Sequence, residues 1–136
     1  MATRVRRIDY FYTTVQDQPG ESYKFLSLLA ELGINLLAFT AVPIGPNLTQ
    51  VTIFPDDAAK LKSEAKKAGL VLGGPNPALM AMGDDELGVV AGLFEKLYHA
   101  GVNVYASNAV TDGDTFAFIL YVRPEQYEKA AQALGV

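Results

Sequence analysis

The sequence contains no cysteine, and this absence removes several kinds of chemistry. There can be no disulfide, no thiolate nucleophile and no cysteine-ligated metal. The single histidine, His99, has no second histidine or cysteine to join it, and a place near a predicted helix end suits it to the helix dipole. Asp84, Asp85 and Glu86 could suggest a cation site or an acid–base pair, but acidic residues also stabilise a helix start without any ligand. Because no nucleophile has a base nearby, we expect no catalytic residue, no metal and no other cofactor.

Long apolar runs and long runs of like charge are also missing. Glycine, proline or a charged residue interrupts every apolar stretch before it reaches membrane-spanning length. The basic start is followed by alternating apolar residues instead of a signal-peptide core. The formal net charge of −4 argues against nucleic-acid binding, because phosphate backbones attract basic surfaces. These absences predict a cytoplasmic protein with neither a membrane nor a nucleic-acid partner.

What the sequence does contain is an internal repeat. Gly33-Ile34-Asn35 recurs as Gly101-Val102-Asn103, and the same offset of 68 residues places Asp17 on Asp85 and Gly20 on Gly88. This period is longer than that of solenoid repeats, so each copy is expected to be a small domain. We therefore predict one domain over residues 1–74 and a second over residues 75–136. Domains this small are marginally stable alone, so they should pack on each other or on a second copy of the chain.

Apolar periodicity and turn residues predict the same order of elements in both halves. The first half should contain a strand over 4–14, a helix over 21–32, strands over 35–42 and 49–54, a helix over 55–68 and a closing strand over 70–72. The second half should contain a strand over 78–82, a helix over 89–100, strands over 102–110 and 115–122, and a helix from Pro124. No strand pattern follows, so its closing strand should be short or missing, or supplied by a partner. The predicted fold is α+β, with two ferredoxin-like βαββαβ repeats, antiparallel sheets and helices on one face.

The first loop of each half leads into a helix N-terminus, where backbone N–H groups without helical acceptors can bind a carboxylate or phosphate. Gly20 and Gly88 remove the side chain that would keep a ligand away from this backbone. Asn35 and Asn103, each two residues after the glycine at the end of a predicted helix, offer a donor and an acceptor to a small zwitterion. The same residue types also serve turns without any ligand, so the residues alone leave both interpretations open.

Taken together, these segments resemble the signature of the ACT domain. Asp17-Gln18-Pro19-Gly20, a leucine-rich helix and Gly33-Ile34-Asn35-Leu36 give the first match, and Gly88 with Gly101-Val102-Asn103-Val104 gives the second. The resemblance covers almost the whole chain as a tandem pair. ACT domains are regulatory modules, often of enzymes of amino-acid metabolism, and bind amino acids where domains pair. The resemblance therefore implies a non-catalytic module that binds a small amino acid or related metabolite between ACT-like domains, with a client enzyme as a possible partner.

Ligand capture in this family uses the first loop of one domain and the second strand of its neighbour. Carried over by position, the resemblance implies ligand-binding roles for Asp17, Gln18, Pro19, Gly20, Asn35, Asp85, Gly88 and Asn103. Leu87 stands where the motif has proline. The aspartates at 17 and 85 stand where some members have asparagine, and an aspartate attracts an ammonium group and repels a carboxylate.

Other classes of function stay open on sequence grounds. Open sheet edges favour pairing, which predicts a homodimer and also allows a structural or interaction module without a ligand. Aromatic residues at Tyr10, Phe11, Tyr12, Phe116 and Phe118 could stack RNA bases on a sheet of this kind, although the acidic balance argues against it. An enzyme on the ferredoxin-like fold is a further alternative, because fold alone does not determine function.

Overall fold

The computed structural model describes residues 3–136, and over this range the chain has an α+β fold with six β-strands, four α-helices and one short 3-10 helix. The elements are β1 (Arg4–Gln16), α1 (Glu21–Glu31), β2 (Leu36–Gly45), β3 (Leu48–Pro55), α2 (Ala58–Ala68), β4 (Gly73–Asp84), α3 (Val89–His99), β5 (Ala106–Thr111), β6 (Thr115–Tyr121), the 3-10 helix (Pro124–Gln126) and α4 (Tyr127–Ala133). Strands β1 and β2 pair antiparallel with β3, and strands β4 and β5 pair antiparallel with β6.

The chain forms two compact units. The first unit is Asp9–Asn76, and the second unit consists of residues 3–8 together with Pro77–Val136. The strand order is β2, β3, β1, β4 in the first unit and β1, β4, β6, β5 in the second. Each unit thus contains part of β1 and part of β4. This grouping differs from the division between residues 74 and 75 that the repeat suggests, because the first residues of the chain belong with its second half.

The first unit buries an apolar core between its strands and helices α1 and α2. Val51 and Ile53 on β3 are fully buried while Thr52 between them is half-buried, as the two-residue period of a strand requires. Phe11 on β1 lies opposite Ile53 in the sheet register and shares the same core. The helices complete this core with Phe25, Leu29 and Leu61.

The second unit has a core of the same construction. Leu79 and Ala81 of β4 pack with Phe116, Phe118 and Leu120 of β6. Helix α3 contributes Leu93 and Leu97 to it, and the last helical segment contributes Ala130, Ala131 and Leu134. All of these side chains are nine-tenths or more buried. Each unit therefore holds its helices to its sheet by apolar burial, which is the main stabilising term for small domains.

The start of β1 supplies the fourth strand of the second unit. Val5 packs against the core of that unit. Arg7 donates a hydrogen bond from Nη1 to Glu128 Oε1 at 2.7 Å and one from Nη2 to the Val136 carbonyl at 3.2 Å. Its guanidinium also lies 5.5 Å from the ring centroid of Tyr127. The same chain thus provides, from its N-terminal end, the strand that no sequence pattern offers after α4.

The predicted closing strand over 70–72 is wrong. Those residues form no strand, and β4 begins at Gly73 and continues through the predicted Gly-Gly-Pro break to Asp84. The two glycines permit this because the sheet is crowded here. A Cβ on Gly73 would overlap the ring of Tyr12, and a Cβ on Gly74 would lie 2.7 Å from the carbonyl oxygen of Tyr10. Glycine in this strand marks a close approach between backbones.

The predicted strand over 102–110 is only partly correct, because β5 begins at Ala106. Val102 points into the core and is 7% exposed. The backbone N–H of Asn103 donates to the side-chain oxygen of Gln126 at 3.3 Å instead of to a neighbouring strand. A side-chain acceptor thus takes the place of a strand partner at the start of this segment.

Candidate functional site

The loops before α1 and α3 share one backbone geometry. Gly20 and Gly88 precede their helices with φ of 88° and 81°, in the left-handed region that glycine adopts readily. No side chain caps either helix. A Cβ on either glycine would meet nothing within 4 Å, so the space in front of both helix starts is open. The structure therefore gives the two loops the form that the repeat predicts.

The first turn of each helix leaves backbone donors unused. Within residues 3–136, the N–H groups of Ser22 and Tyr23 in α1 have no hydrogen-bond acceptor, and the same holds for Val90 and Ala91 in α3. Helix N-termini carry a partial positive charge and lack internal acceptors. Each loop thus presents two N–H groups that can bind an anionic group.

Each of these loops is fastened to the tip of the hairpin in its own unit. The Asp17 N–H donates to the Asn47 carbonyl at 2.9 Å, and the Asp85 N–H donates to the Asp114 carbonyl at 2.9 Å. An open cavity of about 440 Å³ lies at the second loop and is lined by the consecutive residues 85–91. Asp17, Gln18 and Pro19 are all exposed, as are Asp85, Glu86 and Leu87.

Asp112 shapes the second hairpin tip. Its Oδ1 accepts hydrogen bonds from the N–H groups of Asp114 and Thr115, both at 2.8 Å. The bond from Thr115, followed by that from Asp114, lowers the pKa of the Asp112 carboxyl below its ordinary value. The ionised form thus fixes the turn from which the Asp114 carbonyl reaches the loop before α3.

The two asparagines lie at the opposite ends of these helices. Asn35 accepts the Asp56 N–H on its backbone carbonyl at 3.0 Å, and Asn103 donates its N–H to Gln126. Both asparagines are exposed, and neither side chain forms a hydrogen bond with any part of the chain that the structure describes. Helix α1 has 11 residues and is therefore about 16 Å long, so it separates Asn35 from Gly20 of the same unit.

The predicted residues thus fall into separate groups within each unit. Asp17, Gln18, Pro19 and Gly20 share one loop, and Asp85 and Gly88 share the other. No asparagine of the predicted set lies beside the loop of its own unit, because a whole helix intervenes.

Two residues that form hydrogen bonds to the segments containing Asn35 and Asn103 were not predicted from the sequence. Lys60 donates from Nζ to the Gly33 carbonyl at 2.8 Å. Gln126 donates from Nε2 to the Gly101 carbonyl at 3.3 Å, while its Oε1 accepts the Asn103 N–H. Both contacts cap a glycine with φ near 75° after a helix. No local signal could have identified them, since the partners lie 27 and 25 residues apart.

The described part of the chain contains neither a metal-ligand cluster nor a membrane-spanning helix. Over residues 3–136, no three side chains of the metal-ligating types come together. Over the same residues, every helix is too short or too polar to cross a membrane.

Comparison with known proteins places the fold. No family model and no curated protein matches the chain. Among solved structures, protein BT0572 from Bacteroides thetaiotaomicron is 15% identical with a TM-score of 0.78, covering 96% of this chain and 88% of that one. The ligand-free regulatory subunit of aspartate kinase from Thermus thermophilus is 20% identical with a TM-score of 0.66, covering 97% and 93%. The corresponding subunit from Thermus flavus is 18% identical with a TM-score of 0.59, covering 98% and 93%.

The chain therefore has the fold of aspartate kinase regulatory subunits, which are ACT-domain proteins. The resemblance to the ACT domain that the sequence motifs indicate is confirmed at the level of the fold.

Proposed function

We propose that the chain is a non-catalytic regulatory module, built of two ACT-like repeats, that binds a small amino acid or related metabolite between ACT-like domains. The observation that carries the proposal is the match to the aspartate kinase regulatory subunit from Thermus thermophilus, which extends over 93% of that subunit. A partner enzyme of amino-acid metabolism and a cytoplasmic location belong to the same proposal.

The ligand's carboxylate would bind the unused N–H groups at a helix start, such as those of Ser22 and Tyr23. The exposed carboxylate of Asp17 would attract the ligand's ammonium group, and Asp85 would act in the same way in the second unit. These two roles suit a zwitterion, because N–H groups that can bind an anion and a carboxylate that can bind a cation occur in the same loop and helix start.

The asparagine of such a site has to come from a different ACT-like unit. Helix α1, which is about 16 Å long, lies between Asn35 and the loop of its own unit. Asn35 and Asn103 keep exposed side chains with no partner in residues 3–136, so both are available to a neighbour. A homodimer would bring such a neighbour, and the exposed outer strand β5 offers an edge for pairing.

Regulation would follow if the ligand binds one arrangement of the domains more tightly than another. A ligand shifts a conformational equilibrium only by its difference in affinity for the two states. Contacts that two units make with one ligand would provide this difference in affinity, because they form only in the arrangement that brings both units to the ligand.

Isothermal titration of the full chain against a panel of amino acids tests the proposal. We expect one member to release heat, and Asn35→Ala or Asn103→Ala to weaken its binding about tenfold, because a lost hydrogen bond to a charged group is worth roughly 1.5–3 kcal/mol. Gln132→Ala, which removes an exposed side-chain amide from α4, is the control and should bind normally. Absence of heat with every amino acid, or full affinity in both test variants, would refute the site.

A ligand-independent interaction module is the second candidate function. All six residues of β5 are exposed, and Val110 on this strand is 68% exposed. Light scattering in the absence of any metabolite separates the candidates. A stable assembly that no amino acid alters would favour the interaction module.

A further inference from the structure

The first unit contains an open groove that the proposed amino-acid site does not use. It lies between α2 and the segment that leads into β4, and its volume is about 420 Å³. Phe11, Ala65, Leu70 and Leu72 give it an apolar surface, and Gly69 contributes no side chain to obstruct it. Small-molecule sites are typically apolar cavities of about 300–1,000 Å³ with a few convergent polar groups.

The polar groups of this groove are two lysines of α2. Lys62 and Lys66 both line it. They are four residues apart and therefore lie on one face of the helix, where two positive charges repel each other. Neither side-chain ammonium group has a hydrogen-bond or ion-pair partner in residues 3–136.

The remaining lysines of α2 do have partners. Lys60 donates to the Gly33 carbonyl at 2.8 Å, and Lys67 lies 3.8 Å from the carboxylate of Glu64. The two lysines without a partner are thus the two that line the groove. The helix dipole explains a lysine in the last turn, such as Lys66, but not one in the middle of the helix, such as Lys62.

We propose that this groove binds a small amphipathic carboxylate, an organic acid with an apolar body. The apolar body would contact Phe11 and Leu72, and the carboxylate would lie between the ammonium groups of Lys62 and Lys66. Binding would relieve the repulsion between the two lysines while removing apolar surface from water. The inference does not depend on the amino-acid site, because it uses other residues and another class of ligand.

Amide NMR titration of the full chain with octanoate tests this inference. Octanoate should shift the amide signals of the groove residues, in particular Ala65, Gly69 and Leu72. Three probes separate the contributions: octanol lacks the charge, octylammonium reverses it, and acetate lacks the apolar body. Each of these should bind more weakly than octanoate. Equal shifts from octylammonium, or no shift of the groove residues with octanoate at millimolar concentration, would overturn the proposal.

Matched lysine variants locate the anion. The double variant K62Q/K66Q should weaken octanoate binding about fivefold, because it removes two attractive charges, each worth little at an exposed position. The control is Lys67→Gln, which removes one positive charge from the same helix at a position outside the groove. Equal affinity in K62Q/K66Q and the unsubstituted chain would rule out the lysine pair. If Lys67→Gln weakens octanoate binding as much as the double variant does, the loss of affinity reflects the net charge of the protein and the proposed lysine site is wrong.

Discussion

Replacement of Gly74 by alanine should destabilise the first unit more than any change of similar size at an open glycine. Gly74 has a φ of +108°, and a Cβ added there would lie 2.7 Å from the Tyr10 carbonyl oxygen and 3.3 Å from the Phe11 Cα. The first of these distances is below any ordinary contact, and both partners are backbone atoms that cannot rotate away. The substitution therefore forces β1 and β4 apart where Phe11 enters the core.

The expected loss has two parts. A left-handed conformation costs a residue with a Cβ about 1–2 kcal/mol, and forcing packed elements apart typically costs a further 1–3 kcal/mol. The Gly74→Ala change should thus lower the free energy of unfolding by roughly 2–5 kcal/mol. Gly69→Ala is the matched control, because Gly69 has a φ of +70° but its Cβ would meet nothing within 4 Å. This control should lose only the conformational part, about 1–2 kcal/mol.

Urea denaturation followed by circular dichroism measures both variants against the unsubstituted chain. The difference between the two free energies of unfolding isolates the steric part, since both glycines have positive φ. If Gly69→Ala destabilises the chain as much as Gly74→Ala, crowding between the strands is not the reason that β4 contains glycine.

Two further predictions concern a helix cap and an ion pair. Asp57→Ala should lower the free energy of unfolding by about 0.5–2 kcal/mol, because its side chain caps α2 by accepting the Lys60 N–H at 3.0 Å, whereas Asp57→Asn should retain most of the stability in urea denaturation. The hydrogen bond from Arg7 lowers the pKa of the Glu128 carboxyl. The stabilisation that this bond contributes should therefore be complete above the unfolded-state pKa of the carboxyl, and it should be lost as the pH falls through the lower folded-state pKa. Glu128→Gln should therefore reduce the loss of stability on acidification, measured as urea midpoints across the acid range; an unchanged pH dependence would show that this pair does not contribute.

The parts of the fold that local signals determine could be predicted from the sequence. Gly33 ends its helix in the left-handed conformation with a φ of 75°, as its position after an apolar stripe indicates. Helix α2 ends at Ala68, where the sequence also predicts its end. Alternation of apolar residues located β3 and its buried face correctly. These features depend on neighbours within a few residues, so the local sequence contains their cause.

Features that depend on distant residues could not be predicted in this way. Gly73 and Gly74 read as a break because glycine and proline usually end strands, and only the position of Tyr10 and Tyr12 shows that these glycines allow a strand to continue. The candidate site divides in the same manner. The glycine at each helix start was visible in the sequence, whereas the bond from Asp17 to Asn47 was not.

The division of β1 between the two units has a consequence for synthesis of the chain. Arg7 and Glu128 are 121 residues apart, so the start of β1 can reach this partner in the second unit only after nearly the whole polypeptide has left the ribosome. The first unit, Asp9–Asn76, is continuous and complete much earlier. Because contacts between remote residues form slowly, the start of β1, which is synthesised first, should be among the last segments to fold. Expressing the two halves of the sequence as separate chains would separate this segment from the core of the second unit.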